Sequence, residues 1–262
     1  MAMTPTPDHP SVPSREELWA ALYPGVRPYE SFRVMADAWP LDFSPDFDGT
    51  NPLLADAARE AAVGGSLIVE VGTWKGLSAK ALATACPAAT LLCVDTFCGN
   101  VEHWLARDAD SVLPYQLSTR LWHHGRPALY QQFLANVIKL GLTDRLIPFP
   151  ITSVEAARWC AHHGILCDLV YLDAGHSFVD VLLDLKAWWP IVRPGGTLIG
   201  HDYGGRHAGV EQAVTLFAAN ADIEIDVLGG QFYQMQKQVD GSREPVAGSR
   251  GEAVEEEAGG AL

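Results

Sequence analysis

The sequence has few cysteines and few basic residues for its length. The first shortage argues against disulfide and zinc-knot proteins, and the second against nucleic-acid and membrane partners. Only five of the 262 residues are cysteine, and no two of them form a Cys-x-x-Cys pair. An odd number of cysteines without such a pair predicts buried or free thiols, not a disulfide framework or a zinc knot. We therefore expect a reducing compartment and a cytoplasmic protein.

The charge balance is strongly negative. Lysine and arginine number 18 against 32 acidic residues, which gives a formal net charge of −14. Such a surface repels nucleic-acid phosphates and anionic lipids, so we expect neither nucleic acid nor a membrane as partner. The sequence also lacks an apolar run of membrane-spanning length. Met1 to Pro13 has no basic residue and no apolar segment, so it predicts no signal peptide.

What the chain does contain is a regular alternation of short apolar segments with helical patterns. The apolar segments are 66–71, 90–95, 146–149, 167–172 and 196–200. Continuous apolar strands separated by helices indicate a parallel sheet with helices on both faces. Two alternating segments, 223–228 and 231–237, follow and are joined by two glycines, which predicts an antiparallel hairpin. The predicted fold is a Rossmann-like α/β sheet, mostly parallel, with a C-terminal antiparallel hairpin.

Composition divides the chain into three parts. Residues 1–50 are rich in proline and aspartate and predict a partly disordered preamble, with one short helix from Ser14 to Tyr23. Residues 51–238 carry the alternation and form the main domain. Residues 239–262 are rich in glycine, alanine and glutamate, and predict a flexible acidic tail.

The first strand runs into the sequence EVGTWKGLS, which offers a turn into a helix N-terminus. Its glycines would let a ligand approach backbone N–H groups closely, although an ordinary strand-to-helix turn also explains them. A dinucleotide fingerprint starting at Gly72 would need glycine at positions 74 and 77, where tryptophan and leucine stand. The candidate cofactor-binding residues here are Glu70, Gly72, Thr73, Trp74, Gly76 and Ser78.

Two further strand ends offer polar groups to the same ligand. Asp95 ends the second strand, where an acid can accept both hydroxyls of a ribose. A capping role explains Asp95 equally well. Thr152 and Ser153 follow the third strand and could flank an adenine, and plain N-capping explains them too.

The fourth and fifth strands end in two acids and two histidines. Asp173 and His176 follow one strand, and His201 and Asp202 follow the next. Because the carboxyl ends of parallel strands share one edge of the sheet, these groups should converge. Carboxylate oxygens there suit Mg²⁺ or Mn²⁺, and His176 could take a proton from a substrate hydroxyl.

At this point the sequence resembles a known family. The segments LIVEVGTWKGLSAKALA, LLCVDTFCGNVEHW, DLVYLDAGHSFVDVLLDLKAWWPIVRPGGTLIGHDY and GVEQAVTLF are similar to the TylF/CmcI-type (macrocin O-methyltransferase-like) class I methyltransferases, over roughly residues 66–237. The resemblance implies S-adenosylmethionine (AdoMet) as cofactor, a metal-binding role for Asp173 and a general-base role for His176. The family's Asp-Asp pair has become His201-Asp202, which leaves open whether the metal keeps His201 as ligand.

The resemblance implies an O-methyltransferase, metal-assisted, acting on a hydroxyl of a small polar metabolite such as a sugar or a glycosylated natural product. Three alternatives stay open: a metal-independent methyltransferase in which His201 positions or deprotonates the acceptor, a catalytically silent cofactor-binding or scaffold protein, and an iron oxygenase with a two-histidine, one-carboxylate triad.

A long connection, residues 96–126, is the remaining functional candidate. Its aromatic content favours a substrate lid over disorder. We expect His103, Trp104 and Tyr203 to contact substrate, although packing onto the sheet is the simpler role for any one ring of the connection. The preamble is compatible with a homo-oligomer in which it covers a neighbouring subunit, as the family resemblance implies.

Overall fold

The architecture is that of a computed structural model. It describes residues 10–43, 52–62, 65–100, 122–123, 126–205 and 207–239, and all structural statements below concern those ranges. His103, Trp104, most of the 96–126 connection and all but the first residue of the 239–262 tail lie outside them.

A seven-stranded sheet forms the centre of the molecule. In chain order its strands are β1 Leu67–Val71, β2 Thr90–Val94, β5 Leu146–Phe149, β6 Cys167–Leu172, β7 Val192–Gly200, β8 Asp226–Leu228 and β9 Phe232–Gln236. Their spatial order is β5-β2-β1-β6-β7-β9-β8. The first five are parallel, and β9 pairs antiparallel with both β7 and β8. The predicted α/β fold with its terminal hairpin is confirmed.

Eight α-helices accompany the sheet in the described part of the chain. They are α1 Arg15–Leu22, α2 Pro28–Ala36, α3 Pro52–Ala61, α4 Leu77–Ala85, α5 Leu129–Lys139, α6 Ser153–His162, α7 Phe178–Trp188 and α8 Ala208–Ala221. Helix α3 packs on α4, α2 packs on α5, and α7 lies between α6 and α8. None of these helices has the length and apolarity that crossing a membrane requires. A separate two-stranded pair joins β3 Trp122–His123 to β4 Arg126–Pro127.

The N-terminal helices are attached to the edge of the sheet at β5. The helix predicted from Ser14 is present as α1, and Ser14 and Glu17 form a capping box at its start. The buried Tyr29 hydroxyl donates to the Leu146 carbonyl oxygen at 2.7 Å, and the Tyr23 hydroxyl donates to that of Pro148 at 2.6 Å. The sequence analysis did not predict α2, because proline-rich surroundings mask a helix in which Pro28 occupies the first turn, where its missing N–H costs nothing.

The strand order reverses at β1. From β1 the chain first builds β2 and β5 on one side, then crosses to add β6 and β7 on the other. In open α/β sheets a crevice forms at such a reversal, outside the carboxyl ends of the strands, and ligands bind there. The ends of β1, β2 and β6 therefore define where a functional site should lie.

The pairing of β7 with β9 depends on the absence of a side chain at Gly200. Gly200 lies opposite Tyr233, whose ring is 1% exposed, and a Cβ on Gly200 would lie 2.0 Å from that ring. We predict that Gly200→Ala lowers the free energy of unfolding by about 3 kcal/mol, since overpacking a core displaces its neighbours. Chemical denaturation measures this.

Gly25→Ala is the matched control, because nothing lies within 4 Å of a Cβ there and stability should change by under about 0.5 kcal/mol. Equal stabilities of the two variants would contradict the packing described for Tyr233.

Candidate functional site

The crevice begins where the ends of β1 and β6 touch. The Asp173 N–H donates to the Val71 carbonyl oxygen at 2.8 Å, and the Gly72 N–H donates to that of Val94 at 2.9 Å. Gly72 has φ +95°, and a Cβ on it would lie 2.0 Å from the Asp173 carbonyl oxygen. Only glycine fits this approach, so the first glycine of the motif fixes the geometry of three strand ends.

Asp95 supports the two loops that follow β1 and β2. Its Oδ2 accepts the Trp74 N–H at 2.8 Å, and its Oδ1 accepts the Phe97 N–H at 2.6 Å. Both donors belong to non-glycine residues with positive φ, 52° and 54°. The carboxylate therefore stabilises a left-handed backbone conformation that is uncommon for tryptophan and phenylalanine. Burial raises the pKa of Asp95, and the two N–H donors offset part of the increase. Each oxygen keeps a second lone pair for a ligand.

Glu70 is fully buried beneath the same loop. Neither of its carboxylate oxygens accepts a well-formed hydrogen bond from the described residues. Burial raises its pKa to about 8, while the hydroxyls of Ser78 and Thr73 lower it in part and the Asp173 and Asp95 carboxylates add to the increase. A buried carboxylate with unused acceptor capacity indicates a place for a donor or a cation.

A polar network that the sequence analysis missed holds this loop against the N-terminal segment. The buried Lys75 ammonium donates to Asp42 Oδ2 at 2.8 Å. The Asn136 side chain on α5 donates to the backbone carbonyls of Asp42 at 2.7 Å and Lys75 at 2.9 Å. Asn136 and Gln132 are both buried on α5, where the Gln132 side chain donates to Asn136 Oδ1 at 2.9 Å, and this polar pair among apolar residues was the available signal.

The two acids and two histidines of the following strands do converge. His176 Nε2 donates to Asp202 Oδ2 at 3.0 Å, and His201 Nδ1 lies 3.2 Å from the same oxygen. His201 Nδ1 is 3.8 Å from Asp173 Oδ1, while Asp173 Oδ2 accepts the Tyr171 hydroxyl at 2.9 Å. Asp202 has φ +63°, a conformation that aspartate tolerates better than most residues.

The charges in this cluster are set by competing effects. Burial would raise the pKa of Asp202, but hydrogen bonds from His176 and His201 outweigh it and hold the pKa well below its usual range. Burial raises the pKa of Asp173, with His201 opposing the increase and Asp202 adding to it. Asp202 is therefore ionised at neutral pH and can orient both imidazoles.

A third histidine, His207, joins the cluster. Its ring stacks on that of His176 with centroids 4.2 Å apart and planes 26° from parallel. Sequence reasoning missed it because His207 follows the strand end by several residues, just before α8. Tyr203 lies near the β8–β9 turn, where its N–H donates to the Gln231 carbonyl oxygen at 3.0 Å.

Thr152 and Ser153, the candidate cofactor-binding residues after β5, differ in their hydrogen bonds. The Ser153 hydroxyl donates to Asp184 Oδ1 at 2.5 Å and accepts the Trp188 Nε1–H at 2.9 Å. Thr152 is the exposed N-cap residue of α6, and its side chain makes no capping hydrogen bond. Their expected role beside an adenine stays a prediction.

The Lys75–Asp42 pair gives a test of how the loop is held. Asp42→Ala should lower the free energy of unfolding by about 3 kcal/mol, because it removes the carboxylate from a lysine whose side chain is 3% exposed. Asp144→Ala is the control: Asp144 also pairs with basic residues, but its side chain is 70% exposed, so we expect a loss below about 1 kcal/mol. Urea denaturation compares the two, and an equal loss would contradict the network.

Solved structures share this fold. The O-methyltransferase from Bacillus cereus in complex with SAH is 16% identical, with a TM-score of 0.51 over 86% of this chain and 96% of that one. CalS11, a calicheamicin methyltransferase, is 16% identical, with a TM-score of 0.51 over 90% and 99%. Cofactor-bound Rv0187 from MTB is 14% identical, with a TM-score of 0.52 over 90% and 98%. At these identities the likeness concerns the fold alone.

Sequence comparison identifies the family. No curated protein is similar to the chain at a significant level. A family described as a methyltransferase domain matches residues 69–203, just over half of the chain, and that range contains both the loop after β1 and the His201-Asp202 pair. The chain belongs to this methyltransferase-domain family and is an AdoMet-dependent methyltransferase.

Proposed function

We propose that the protein methylates a hydroxyl oxygen of a small polar metabolite, such as a sugar or a glycosylated natural product, in the manner of the TylF/CmcI-type enzymes. One observation carries the proposal. The His176 imidazole is oriented by an ionised Asp202 at 3.0 Å, on the same edge of the sheet as the loop after β1. A histidine held in this way suits removal of a proton from a hydroxyl.

The carboxyl ends of β1 and β2 offer groups that are complementary to AdoMet. Glu70 has buried carboxylate oxygens with unused acceptor capacity, which fit the ammonium of the cofactor's amino-acid part. The free lone pairs of Asp95 fit ribose hydroxyls, and Gly72 lets a ligand approach the backbone. AdoMet, when bound, supplies a methyl group on a positively charged sulfur. The protein's task is then to align the acceptor oxygen and to remove its proton.

His176 has the geometry for that proton transfer. In a neutral ring whose Nε2–H donates to Asp202, Nδ1 carries the lone pair and is the atom that would accept the proton. Asp202 fixes this tautomer and stabilises the imidazolium that forms when the acceptor hydroxyl gives up its proton. The side chains of His176 and Asp202 are each 21% exposed, so an acceptor can reach them from solvent.

A divalent ion fits beside the proposed base. Asp173, His201 and Asp202 each offer one ligand atom, and these atoms all lie within 4.8 Å of one another. Two carboxylates with one imidazole suit Mn²⁺, and the carboxylates alone suit Mg²⁺. Such an ion, when bound, lowers the pKa of an acceptor hydroxyl. In the metal-independent alternative, His201 positions or deprotonates the acceptor. Activity in excess EDTA separates the two cases.

The test is methyl transfer itself, followed as S-adenosylhomocysteine release with a panel of sugars, glycosides and other hydroxylated metabolites. We expect His176→Ala to lower turnover by about 10²–10⁴-fold, the usual contribution of a general base, with the Kd for AdoMet changed by less than about twofold. His162→Ala, on the exposed end of α6, is the control and should retain full turnover. Unchanged turnover of His176→Ala would remove this residue from the mechanism.

A further inference from the structure

We propose that His176, Asp202 and His207 form a binding site for a transition-metal ion of the Zn²⁺ or Co²⁺ type. This donor set differs from the Asp173–His201–Asp202 set in which carboxylates predominate. The two sets share only Asp202. The proposed site goes beyond the methyltransferase function, since nothing in methyl transfer requires His207.

The geometry of the three side chains carries the proposal. His176 Nε2 and Asp202 Oδ2 are 3.0 Å apart, close to the separation of two ligands bound to one ion at about 2.0–2.1 Å. One ligand atom each from His176, Asp202 and His207 lies within 4.8 Å of the others. One ion can bind both rings after the His207 side chain rotates out of the stack, because the lone pairs of stacked rings lie in nearly parallel planes.

The one carboxylate of this donor set contributes charge as well as an oxygen ligand. Asp202 supplies the negative charge that offsets a divalent ion, and its position after β7 is fixed by the strand pairing.

The chemistry of the donors selects the ion. Two imidazoles and one carboxylate suit Zn²⁺, Co²⁺ and Fe²⁺, whereas Mg²⁺ requires oxygen ligands and keeps several waters. The side chains of His176 and Asp202 are partly exposed, which leaves an entry path and room for water as a further ligand.

Binding at this site has a consequence that rests on the proposed function. An ion on Nε2 of His176 would displace the proton there, and a neutral ring would then carry its one proton on Nδ1, the atom that would otherwise accept the hydroxyl proton. We therefore expect Zn²⁺ to inhibit methyl transfer, and His207→Ala, compared with its own metal-free turnover, to need at least about tenfold more Zn²⁺ for half-inhibition.

The direct test measures metal binding and does not depend on methyl transfer. Tag-free protein without AdoMet or acceptor is titrated with Zn²⁺ by calorimetry and with Co²⁺ by visible absorption, for the wild type, His207→Ala and the control His162→Ala. We expect saturable binding of one ion in the wild type and the control, and an affinity at least about tenfold lower in His207→Ala. Circular dichroism confirms that each variant is folded.

Two results would overturn the proposal: no saturable Zn²⁺ or Co²⁺ binding to the wild type, or wild-type affinity in His207→Ala. Because metal binding is measured alone, its failure is distinct from a failure of methyl transfer. A protein that transfers methyl groups but binds no Zn²⁺ refutes only the metal site, and one that binds Zn²⁺ through His207 without transferring methyl groups refutes only the proposed function.

Discussion

The close approach of two strand ends, at Gly72 and Asp173, is the constraint on which the rest of the site depends. A Cβ at position 72 would lie 2.0 Å from the Asp173 carbonyl oxygen, so the backbone of β1 and β6 can meet only through glycine. That contact places Glu70 in β1 and Asp95 after β2 on the same edge of the sheet as the histidine and carboxylate cluster. A cofactor held by the first group would therefore face an acceptor held by the second.

Within the histidine and carboxylate cluster, the arrangement of the side chains depends on Asp202. One of its oxygens lies 3.0 Å from His176 and 3.2 Å from His201, and those contacts keep the carboxylate ionised despite its burial. Its backbone has the left-handed conformation, with φ +63°. Orientation of a base, binding of an oxygen-preferring ion and binding of an imidazole-preferring ion would all use this single side chain, and the third of these would occupy the imidazole that the first orients.

The sequence predicted the elements whose signal is local. The apolar run of β6 and the Gly229-Gly230 hairpin were placed correctly, because buried parallel strands and two-residue glycine turns have direct sequence patterns. Convergence of Asp173 with Asp202 followed from topology. The contacts that need tertiary information were not predictable: the stacking of His207 on His176, and the bridge that Asn136 makes between residues distant in the chain.

The buried Glu70 carboxylate offers the most direct measurement. Its pKa of about 8 leaves it mostly protonated at pH 7, so a bound ammonium should displace the proton. AdoMet is titrated by calorimetry at pH 7 in two buffers of different ionisation enthalpy, with wild type and Glu70→Gln. We predict one site per chain, more proton release in the wild type than in the variant, and affinity at least about tenfold lower in Glu70→Gln. Absence of saturable AdoMet binding, or equal affinity and proton release in the two proteins, would contradict this account of the cofactor site.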